Sequence, residues 1–331
     1  MNAFAYTRAD DVRAAVQAVT ADRTARFIAG GTNLLDLMKE DVERPGRLID
    51  ITRLPLRAIV PTADGGMRLG ALVTNTDLAY HPEIERRYPL LSQAILAGAS
   101  PQLRNMASVG GNLMQRTRCA YFYDTATPCN KRAPGAGCSA IGGFTRYHAI
   151  LGASEHCIAV HPSDMCVALA ALDAVVRVMG PAGERAIAFE EFHRLPADRP
   201  DLDTTKQPDE LITAVELPPD GFREHATYVK VRDRASYAFA LVSVAAALRI
   251  DGDTIADARL ALGGVAHKPW RDRAVEASLR GQRVSRVAFE AAAETLLHGA
   301  HGRGQNTFKI ALAKRAVVRA LARAAHLDGL E

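Results

Sequence analysis

Apolar and polar positions in the first part of the chain follow helix and strand periods in turn. Apolar side chains recur at helical spacing after Asp10 and Asp11, and this pattern predicts a helix over 11–19. The same periodicity predicts strands over 26–29 and 47–51 and a second helix over 33–39. We therefore expect a β-α-β unit over residues 1–60.

A second unit is predicted where the two periods are mixed. Its expected elements are strands over 67–71, 173–179 and 211–217 and helices over 90–98 and 165–172. Thr76 or Asp77 is expected to cap a further short helix, and Ser163 is expected to cap the last one. The polar, proline-marked stretch 196–208 predicts a surface loop. This unit spans residues 61–222.

The pattern changes near residue 223, where strands and amphipathic helices segregate. The expected elements are strands over 226–232, 243–250 and 258–262 and helices over 284–297 and 308–325. Strands followed by helices are typical of an α+β domain. We therefore expect a third unit over residues 223–331.

Composition and charge exclude several classes of protein. Of the 331 residues, 48% are hydrophobic and 24% are charged, which are ordinary globular values. No apolar run approaches the ~18–20 residues that cross a bilayer, and the N-terminus has no basic stretch followed by an apolar core. The net charge of +4 includes no long basic run, so we expect neither nucleic-acid nor membrane binding. This chain alone predicts a cytoplasmic protein, although a partner with an export signal could carry a folded complex to the periplasm.

Two glycine segments, each predicted to form a turn, can bind phosphate. The first is Phe27, Ile28, Ala29, Gly30, Gly31, Thr32, Asn33 and Leu34; the second is Ser108, Val109, Gly110, Gly111 and Asn112. Consecutive backbone N–H groups with no Cβ in the way can wrap a phosphate. The first segment lacks the GxGxxG dinucleotide pattern and also suits a plain strand-to-helix turn. Two segments of one kind favour a ligand as large as a dinucleotide.

Four of the five cysteines lie in an irregular segment, 114–161. Nine, eight and eighteen residues separate Cys119, Cys129, Cys138 and Cys157. None of these spacings is the C-x2-C of zinc ribbons, and wide spacing suits a loop around a larger object such as a [4Fe–4S] cluster. A zinc site and unligated buried thiols remain open alternatives.

Other side chains near the segment could modify such a site. Arg116, Arg118, Lys131 and Arg132 could offset the charge of a thiolate-ligated cluster. His148, His156 and His161 could each replace one thiolate, although each is also an ordinary loop histidine. The fifth cysteine, Cys166, falls in an apolar helix pattern and is excluded from the ligand set. No Ser-His-Asp order or carboxylate pair indicates a hydrolytic site.

The chain resembles the FAD-binding subunit of the molybdenum hydroxylases, the family of xanthine dehydrogenase and aldehyde oxidoreductase. The resemblance runs from about residue 3 to residue 325. The motifs that carry it are Ala29–Leu35, Gln102–Asn105, Ser108–Leu113, Ser163–Met165, Asp209–Thr213, Tyr228–Lys230 and Val242–Ala247. It implies an α+β fold: a two-subdomain FAD-binding fold of the vanillyl-alcohol-oxidase/PCMH type, followed by a C-terminal α+β domain.

The same resemblance implies the residues that hold cofactors. Both glycine segments, Asp164, Ile212 and Lys230 take the positions of FAD contacts, while Gly98 stands where some relatives place an aromatic residue. Most members have a short connection between Leu113 and Pro162, and a subset has an insertion with a [4Fe–4S] cluster. This chain is most similar to that subset, in the flavin subunit of bacterial three-subunit aldehyde oxidoreductases. The implied cluster ligands are Cys119, Cys129, Cys138 and Cys157.

The function implied is electron transfer within a larger oxidoreductase. A molybdenum-cofactor large subunit would oxidise an aldehyde, and electrons would pass through [2Fe–2S] centres of a small subunit to FAD here and then to an external acceptor. The chain has no C-x4-C-x2-C pattern for those [2Fe–2S] centres. Alternative functions are the flavin subunit of a xanthine dehydrogenase or hydroxybenzoyl-CoA reductase-like enzyme, a free-standing flavoprotein oxidase, and a metal-stabilised assembly module without redox activity.

Overall fold

Three separate sheets organise the protein, as seen in a computed structural model that describes residues 1–327. The first sheet has three parallel strands, and its unit contains β1 (Ala5–Arg8), α1 (Val12–Ala21), β2 (Ala25–Ile28), α2 (Leu34–Lys39) and β3 (Arg47–Asp50). The strand order is β1-β3-β2, so the last strand lies in the middle. Asp11 caps α1 by accepting a 2.8 Å hydrogen bond from the Ala14 N–H, as the sequence predicts. The edge strand β1 was not predicted, because all four of its residues are exposed and carry no apolar period.

The second sheet has five antiparallel strands, and a series of short helices connects them. Its unit contains β4 (Ile59–Pro61), β5 (Met67–Gly70), α3 (Asn75–Ala79), α4 (Pro82–Arg87), α5 (Pro89–Ala97), α6 (Pro101–Arg104), α7 (Val109–Leu113), α8 (Ala120–Tyr123), α9 (Asp164–Ala171), β6 (Val175–Gly180), β7 (Gly183–Ala188), α10 (Phe189–Phe192) and β8 (Leu211–Leu217). The strand order is β4-β5-β8-β6-β7. Every residue of α9 is buried, which suits a helix that is apolar on nearly all sides.

Two local predictions in this unit were wrong. Thr74, not Thr76 or Asp77, caps α3, since its hydroxyl accepts a 3.0 Å hydrogen bond from the Asp77 N–H. The second glycine segment is not a turn but the short helix α7, and the Ser108 hydroxyl caps it by accepting from the Gly111 N–H at 3.2 Å. The prediction that Ser163 caps α9 is confirmed by a 3.0 Å hydrogen bond from the Cys166 N–H.

The third sheet has four antiparallel strands and lies between two apolar cores. Its unit contains β9 (Ala226–Val231), β10 (Val242–Asp251), β11 (Thr254–Gly263), β12 (Trp270–Arg271), α11 (Arg273–Leu279), α12 (Arg286–Leu296) and α13 (Phe308–Ala324), with the strand order β12-β11-β10-β9. Along β10, Ala245 and Ala247 pack into the core of the second unit, while Val244 and Ala246 pack with α12 and α13. Because alternate side chains of a strand point to opposite faces, this one strand joins the two cores.

The predicted irregular segment 114–161 has the one-turn helix α8 as its only helix and no strand in the structure. A single antiparallel bridge joins Cys129 to Cys138 within it. No helix among residues 1–327 is both long and apolar enough to cross a bilayer.

Candidate functional site

A cleft of about 1000 Å³ lies between the first and second units. One wall is the first glycine segment, and its eight residues from Phe27 to Leu34 all line the cleft. Facing residues come from the α7 region and from the strand β8, including Ser108, Gly110, Gly111 and Ile212. The cleft thus brings together both glycine segments, which are far apart along the chain.

The first glycine segment presents unpaired hydrogen-bond donors to the cleft. In the described part of the chain, the backbone N–H groups from Gly30 to Asn33 have no hydrogen-bond acceptor, and the buried Nδ2 of Asn33 also has none. Gly31 has φ +72°, which favours glycine. A Cβ on Gly30 would lie 1.8 Å from the Met106 carbonyl oxygen, so only glycine allows this close approach.

The second glycine segment contributes to the cleft in a different way. The N–H of Val109 donates to the Val73 carbonyl at 2.9 Å, and that of Gly110 donates to the Ala71 carbonyl at 2.8 Å. These amides are therefore not free to wrap a phosphate, which corrects the expectation that both segments use the same chemistry. A Cβ on Gly110 would lie 3.2 Å from the Ala71 Cβ, so this glycine lets α7 pack closely beside β5.

Four of the predicted FAD contacts lie outside the cleft wall. Val109 is fully buried in the core, and the Oδ1 of Asn112 accepts a 2.5 Å hydrogen bond from the Ser163 hydroxyl. Asp164 and Lys230 form a buried ion pair with an Nζ–Oδ2 distance of 2.7 Å. The structure therefore brings this pair together, but neither residue lines the cleft that the glycine segments form.

A wall of the cleft comes from residues 201–210, which the sequence analysis interpreted mainly as a surface loop. Asp203 accepts hydrogen bonds from Arg116, at 2.8 Å, and from Lys131. Burial alone would raise the pKa of Asp203, but Lys131 and Arg116 outweigh it and lower that pKa well below its usual range. Lys206 also lines the cleft, and burial lowers its pKa to about 8. This polar stretch has no periodic signal by which the sequence could have revealed its role.

The four cysteines of segment 114–161 line one small cavity, as the sequence predicts. Cys119, Cys129, Cys138 and Cys157 all contribute to its wall, and all four are free thiols. Burial raises the pKa of Cys119 to about 12 and that of Cys157 to about 11. Positive charge beside a buried thiol favours its thiolate, and a bound metal group would supply such charge.

The spacing of the sulfurs separates a single ion from a larger group. A Zn–S distance of ~2.3 Å would place the sulfurs of a tetrahedral site about 3.8 Å apart. Among residues 1–327 the only His, Cys, Asp or Glu atoms within 4.8 Å of one another in a group of three or more belong to His161, Cys166 and His193. The four cysteine sulfurs are therefore more widely spread than the ligands of one zinc ion.

Of the four cations considered near the cysteines, only Lys131 lines their cavity. Its buried ammonium group contacts Asp203, which lines the cleft, so one ion pair connects the two sites. Arg118 instead pairs with Asp36 at 3.1 Å. Arg132 donates to the backbone carbonyls of Tyr121 and Phe122 at 2.9 and 2.8 Å, which shapes the loop.

The three candidate histidines occupy different places. His148 contacts the cysteine site, with its Nε2 3.1 Å from the Cys119 Sγ. His156 is exposed. His161 lies beside Cys166 and His193, a buried group that the sequence analysis did not anticipate. Cys166, which was excluded from the predicted ligand set, is fully buried and does not line the cysteine cavity.

Comparison with known proteins places these sites in context. Residues 2–220 match the family model described as the FAD binding domain in molybdopterin dehydrogenase, and residues 226–324 match that of the CO dehydrogenase flavoprotein C-terminal domain. The chain is 54% identical to the aldehyde oxidoreductase FAD-binding subunit PaoB of Escherichia coli, over 98% of this chain and 99% of that relative. It is 29% identical to the glyceraldehyde dehydrogenase medium chain of Sulfolobus acidocaldarius, over 85% of this chain and 83% of that relative.

A solved structure has the same architecture. A chain of the carbon monoxide dehydrogenase from Hydrogenophaga pseudoflava matches with a TM-score of 0.77 and 26% identity, over 98% of each chain. Together with the two family matches, this confirms the expected fold class, an α+β FAD-binding fold followed by a C-terminal α+β domain.

Proposed function

Because this chain belongs to the family of FAD-binding subunits of the molybdenum hydroxylases, we propose that it is the FAD- and [4Fe–4S]-containing electron-transfer subunit of a molybdenum-dependent aldehyde oxidoreductase. It is a subunit of an oxidoreductase, as its relatives are. The aldehyde substrate class is taken from the relative with 54% identity, an aldehyde oxidoreductase subunit. A xanthine dehydrogenase subunit is a weaker alternative, at 26% identity.

The cleft residues fit an extended, anionic dinucleotide. The free N–H groups from Gly30 to Asn33 suit a pyrophosphate, and the unpartnered Nδ2 of Asn33 is a further donor. A buried nitrogen of Arg116, Nη2, also has no partner among the described residues and lies at the cleft. Buried donors without acceptors are costly, so a bound phosphate would satisfy what the protein alone leaves unpaired.

The cysteine cavity fits a cluster better than a single ion. Four thiols from one segment converge on it, and their spread exceeds that of a mononuclear site. Lys131 places one buried positive charge beside them, which offsets part of the negative charge of a thiolate-ligated cluster. We assign the four ligand positions to Cys119, Cys129, Cys138 and Cys157.

Bound FAD would supply one- and two-electron redox chemistry, and the protein supplies binding, orientation and electrostatics. The first glycine segment would hold the phosphates, and Ile212 would provide an apolar contact in the cleft. Asp164 and Lys230, which do not line the cleft, take flavin-contact positions by resemblance to the family and would present a neutral ion pair there. The contact between Lys131 and Asp203 keeps the cysteine cavity and the cleft adjacent, which suits transfer of electrons between them.

The proposed partners are a molybdenum-cofactor large subunit and a [2Fe–2S] small subunit, with an external electron acceptor. Relatives named as a subunit or a medium chain of a dehydrogenase support a multi-subunit assembly. Of everything observed, the convergence of the four cysteines on one cavity beside the phosphate-binding cleft carries the proposal furthest.

The test is the composition of the native complex, purified from cells that express all of its subunits. We expect stoichiometric FAD, ~4 iron per copy of this chain beyond the iron of the small subunit, and a broad absorption shoulder near ~400 nm. Zinc in place of this iron, with no flavin, would indicate an assembly module and would contradict the proposal. Flavin without the additional iron would contradict only its iron–sulfur part.

A further inference from the structure

His148 is positioned directly behind one of the four cysteines. Its side chain is 5% exposed, and its Nε2 lies 3.1 Å from the Cys119 Sγ. It does not line the cysteine cavity itself. The ring therefore contacts a sulfur from outside the cavity and does not take the place of a thiolate in it.

The backbone of His148 is held by the third unit, at the start of α13. The His148 carbonyl accepts a 3.2 Å hydrogen bond from the Asn306 side-chain amide and a 2.8 Å hydrogen bond from the Lys309 ammonium group. Both of these side chains are completely buried. The His148 N–H donates to the Thr145 carbonyl at 2.9 Å. Because its carbonyl and its N–H are both bonded, the backbone that carries the ring is held in place, in part by residues far away in the sequence.

The surroundings of the ring decide which nitrogen bears the proton. The buried Nδ1 has no partner among the residues that the structure describes, whereas Nε2 faces the sulfur. A proton on Nδ1 would leave a buried donor unpaired and would turn a nitrogen lone pair toward a negative sulfur. A proton on Nε2 gives an N–H···S hydrogen bond and leaves only an unpaired acceptor, which costs less.

We infer that His148 is a positioning residue that donates an Nε2–H···Sγ hydrogen bond to Cys119 and thereby raises the reduction potential of the iron–sulfur cluster. This inference rests on the proposed function, because it requires a cluster on the four cysteines. Hydrogen bonds to the sulfurs are among the features that set cluster potentials. The reduced cluster has one more negative charge than the oxidised cluster, so a donor stabilises the reduced state more.

Cys119 is the ligand on which such an effect can be isolated. The Cys157 Sγ accepts a 3.5 Å contact from the backbone N–H of Ala159, which no side-chain substitution removes. At Cys119 the donor is a side chain, and it can be exchanged. A His148→Leu substitution removes the donor and fills much of the same space, while His148→Gln keeps a side-chain N–H donor.

The experiment compares the wild-type complex with the His148→Leu and His148→Gln complexes. Iron and FAD are counted first, and the cluster is then titrated with reductant while its absorption and paramagnetic signals are followed. His156→Leu is the matched control, because it changes an exposed histidine of the same segment. At the midpoint of the wild-type cluster, we expect the ratio of reduced to oxidised cluster to fall about tenfold in His148→Leu, which is ~59 mV for one electron. We expect a smaller change in His148→Gln and none in the control.

The possible results separate this inference from the proposed function. A wild-type complex without the additional iron would overturn both. Full iron in His148→Leu with an unchanged potential would overturn only the role of His148. Loss of iron from both His148 variants would also overturn it, because that result indicates packing and not a hydrogen bond. Equal shifts of the reduction potential in His148→Leu and His148→Gln would also overturn the role of His148, since Gln keeps a side-chain donor.

Discussion

Asn33 and Arg116, 83 positions apart in the sequence, are joined by a hydrogen bond between a side chain and the backbone. The Oδ1 of Asn33 accepts from the Arg116 N–H at 2.8 Å. Asn33 lies near the end of the first glycine segment, and Arg116 lies near the start of the cysteine-rich segment. The Arg116 guanidinium group also pairs with Glu43 at 2.5 Å and lies 4.8 Å from the centre of the Phe122 ring. The first glycine segment, which lines the cleft, and the cysteine segment are therefore joined directly by this contact.

Asn33 has two separable roles, and two substitutions distinguish them. Asn33→Ala removes both the acceptor for Arg116 and the free Nδ2, so we expect a loss of about 1–3 kcal/mol in the free energy of unfolding and weaker FAD retention. Asn33→Asp keeps an acceptor oxygen but removes the donor and adds a negative charge near the phosphates. The Asn33→Asp variant should therefore unfold with nearly the wild-type free energy but should retain less FAD than the wild type. Urea denaturation and the flavin bound per chain after gel filtration test this; equal FAD retention in Asn33→Asp and the wild type would contradict it.

Gly30 is expected to tolerate no side chain at all. A Cβ there would lie 1.8 Å from the backbone oxygen of Met106, so the two segments would have to separate. We expect Gly30→Ala to cost about 3 kcal/mol and to release FAD. Gly135→Ala is the control: Gly135 has φ +84° but nothing within 4 Å of the added Cβ, so only about 1 kcal/mol of backbone strain is expected. Similar losses in both variants would show that the close approach is unimportant.

The assignment of the four cysteine ligands is tested by comparing variants of two proposed ligands with a variant of Cys166, the cysteine excluded from the set. Cys129→Ser and Cys138→Ser should each remove the additional iron and loosen the segment, because the proposed cluster would join cysteines from distant parts of it. Cys166→Ala should leave iron unchanged, since Cys166 is buried in α9 away from the cavity. Metal analysis and limited proteolysis of the purified complexes measure both effects. Iron loss in Cys166→Ala alone would reverse the assignment.

Local sequence signals were sufficient for elements that carry their own period or cap. The helix α9 could be predicted because a serine cap and an apolar run mark it, and the strand β8 because most of its residues are apolar. The convergence of the four cysteines was also expected, since they share one irregular segment. The exposed edge strand β1 could not be predicted, because its stability comes from pairing with β3 and not from its own side chains.

The contacts that join the two sites depend on residues far apart in the sequence. Asp203 meets Lys131 and Arg116 across 72 and 87 positions, from a stretch with no helical or strand period. Nothing in that stretch distinguishes it from an ordinary surface loop until the chain has folded. The hydrogen bonds from Asn306 and Lys309 to the His148 carbonyl could not be predicted for the same reason. Asn306 lies 158 positions after His148 in the sequence, and Lys309 lies 161 positions after it.

The burial of Lys309 predicts that the free energy of unfolding depends on pH in an unusual way. Burial lowers its pKa to about 7 in the folded protein, against ~10.4 in an unfolded chain. Between pH 7 and pH 10 the unfolded chain therefore binds a proton that the folded chain does not, and stability rises with pH. From pH 7 to pH 9 the wild type should gain about 2 kcal/mol relative to Lys309→Met, which lacks the titrating group. Parallel curves of unfolding free energy against pH for the two proteins would contradict this.

Asp164 and Lys230, both assigned to the flavin by resemblance, are partners of each other, and a double-mutant cycle can measure that partnership. Their side chains are 7% and 4% exposed, and the Tyr228 hydroxyl also donates to Asp164 at 2.7 Å. Lys230→Met leaves a buried carboxylate without its cation, so we expect a loss of about 3–5 kcal/mol in the free energy of unfolding. Adding Asp164→Asn removes that isolated charge and should recover part of the loss. The exposed pair Arg86 and Glu83 is the control, with an expected coupling below about 1 kcal/mol. Additive losses at Asp164 and Lys230 would contradict this prediction, because they would show that the two charges do not depend on each other.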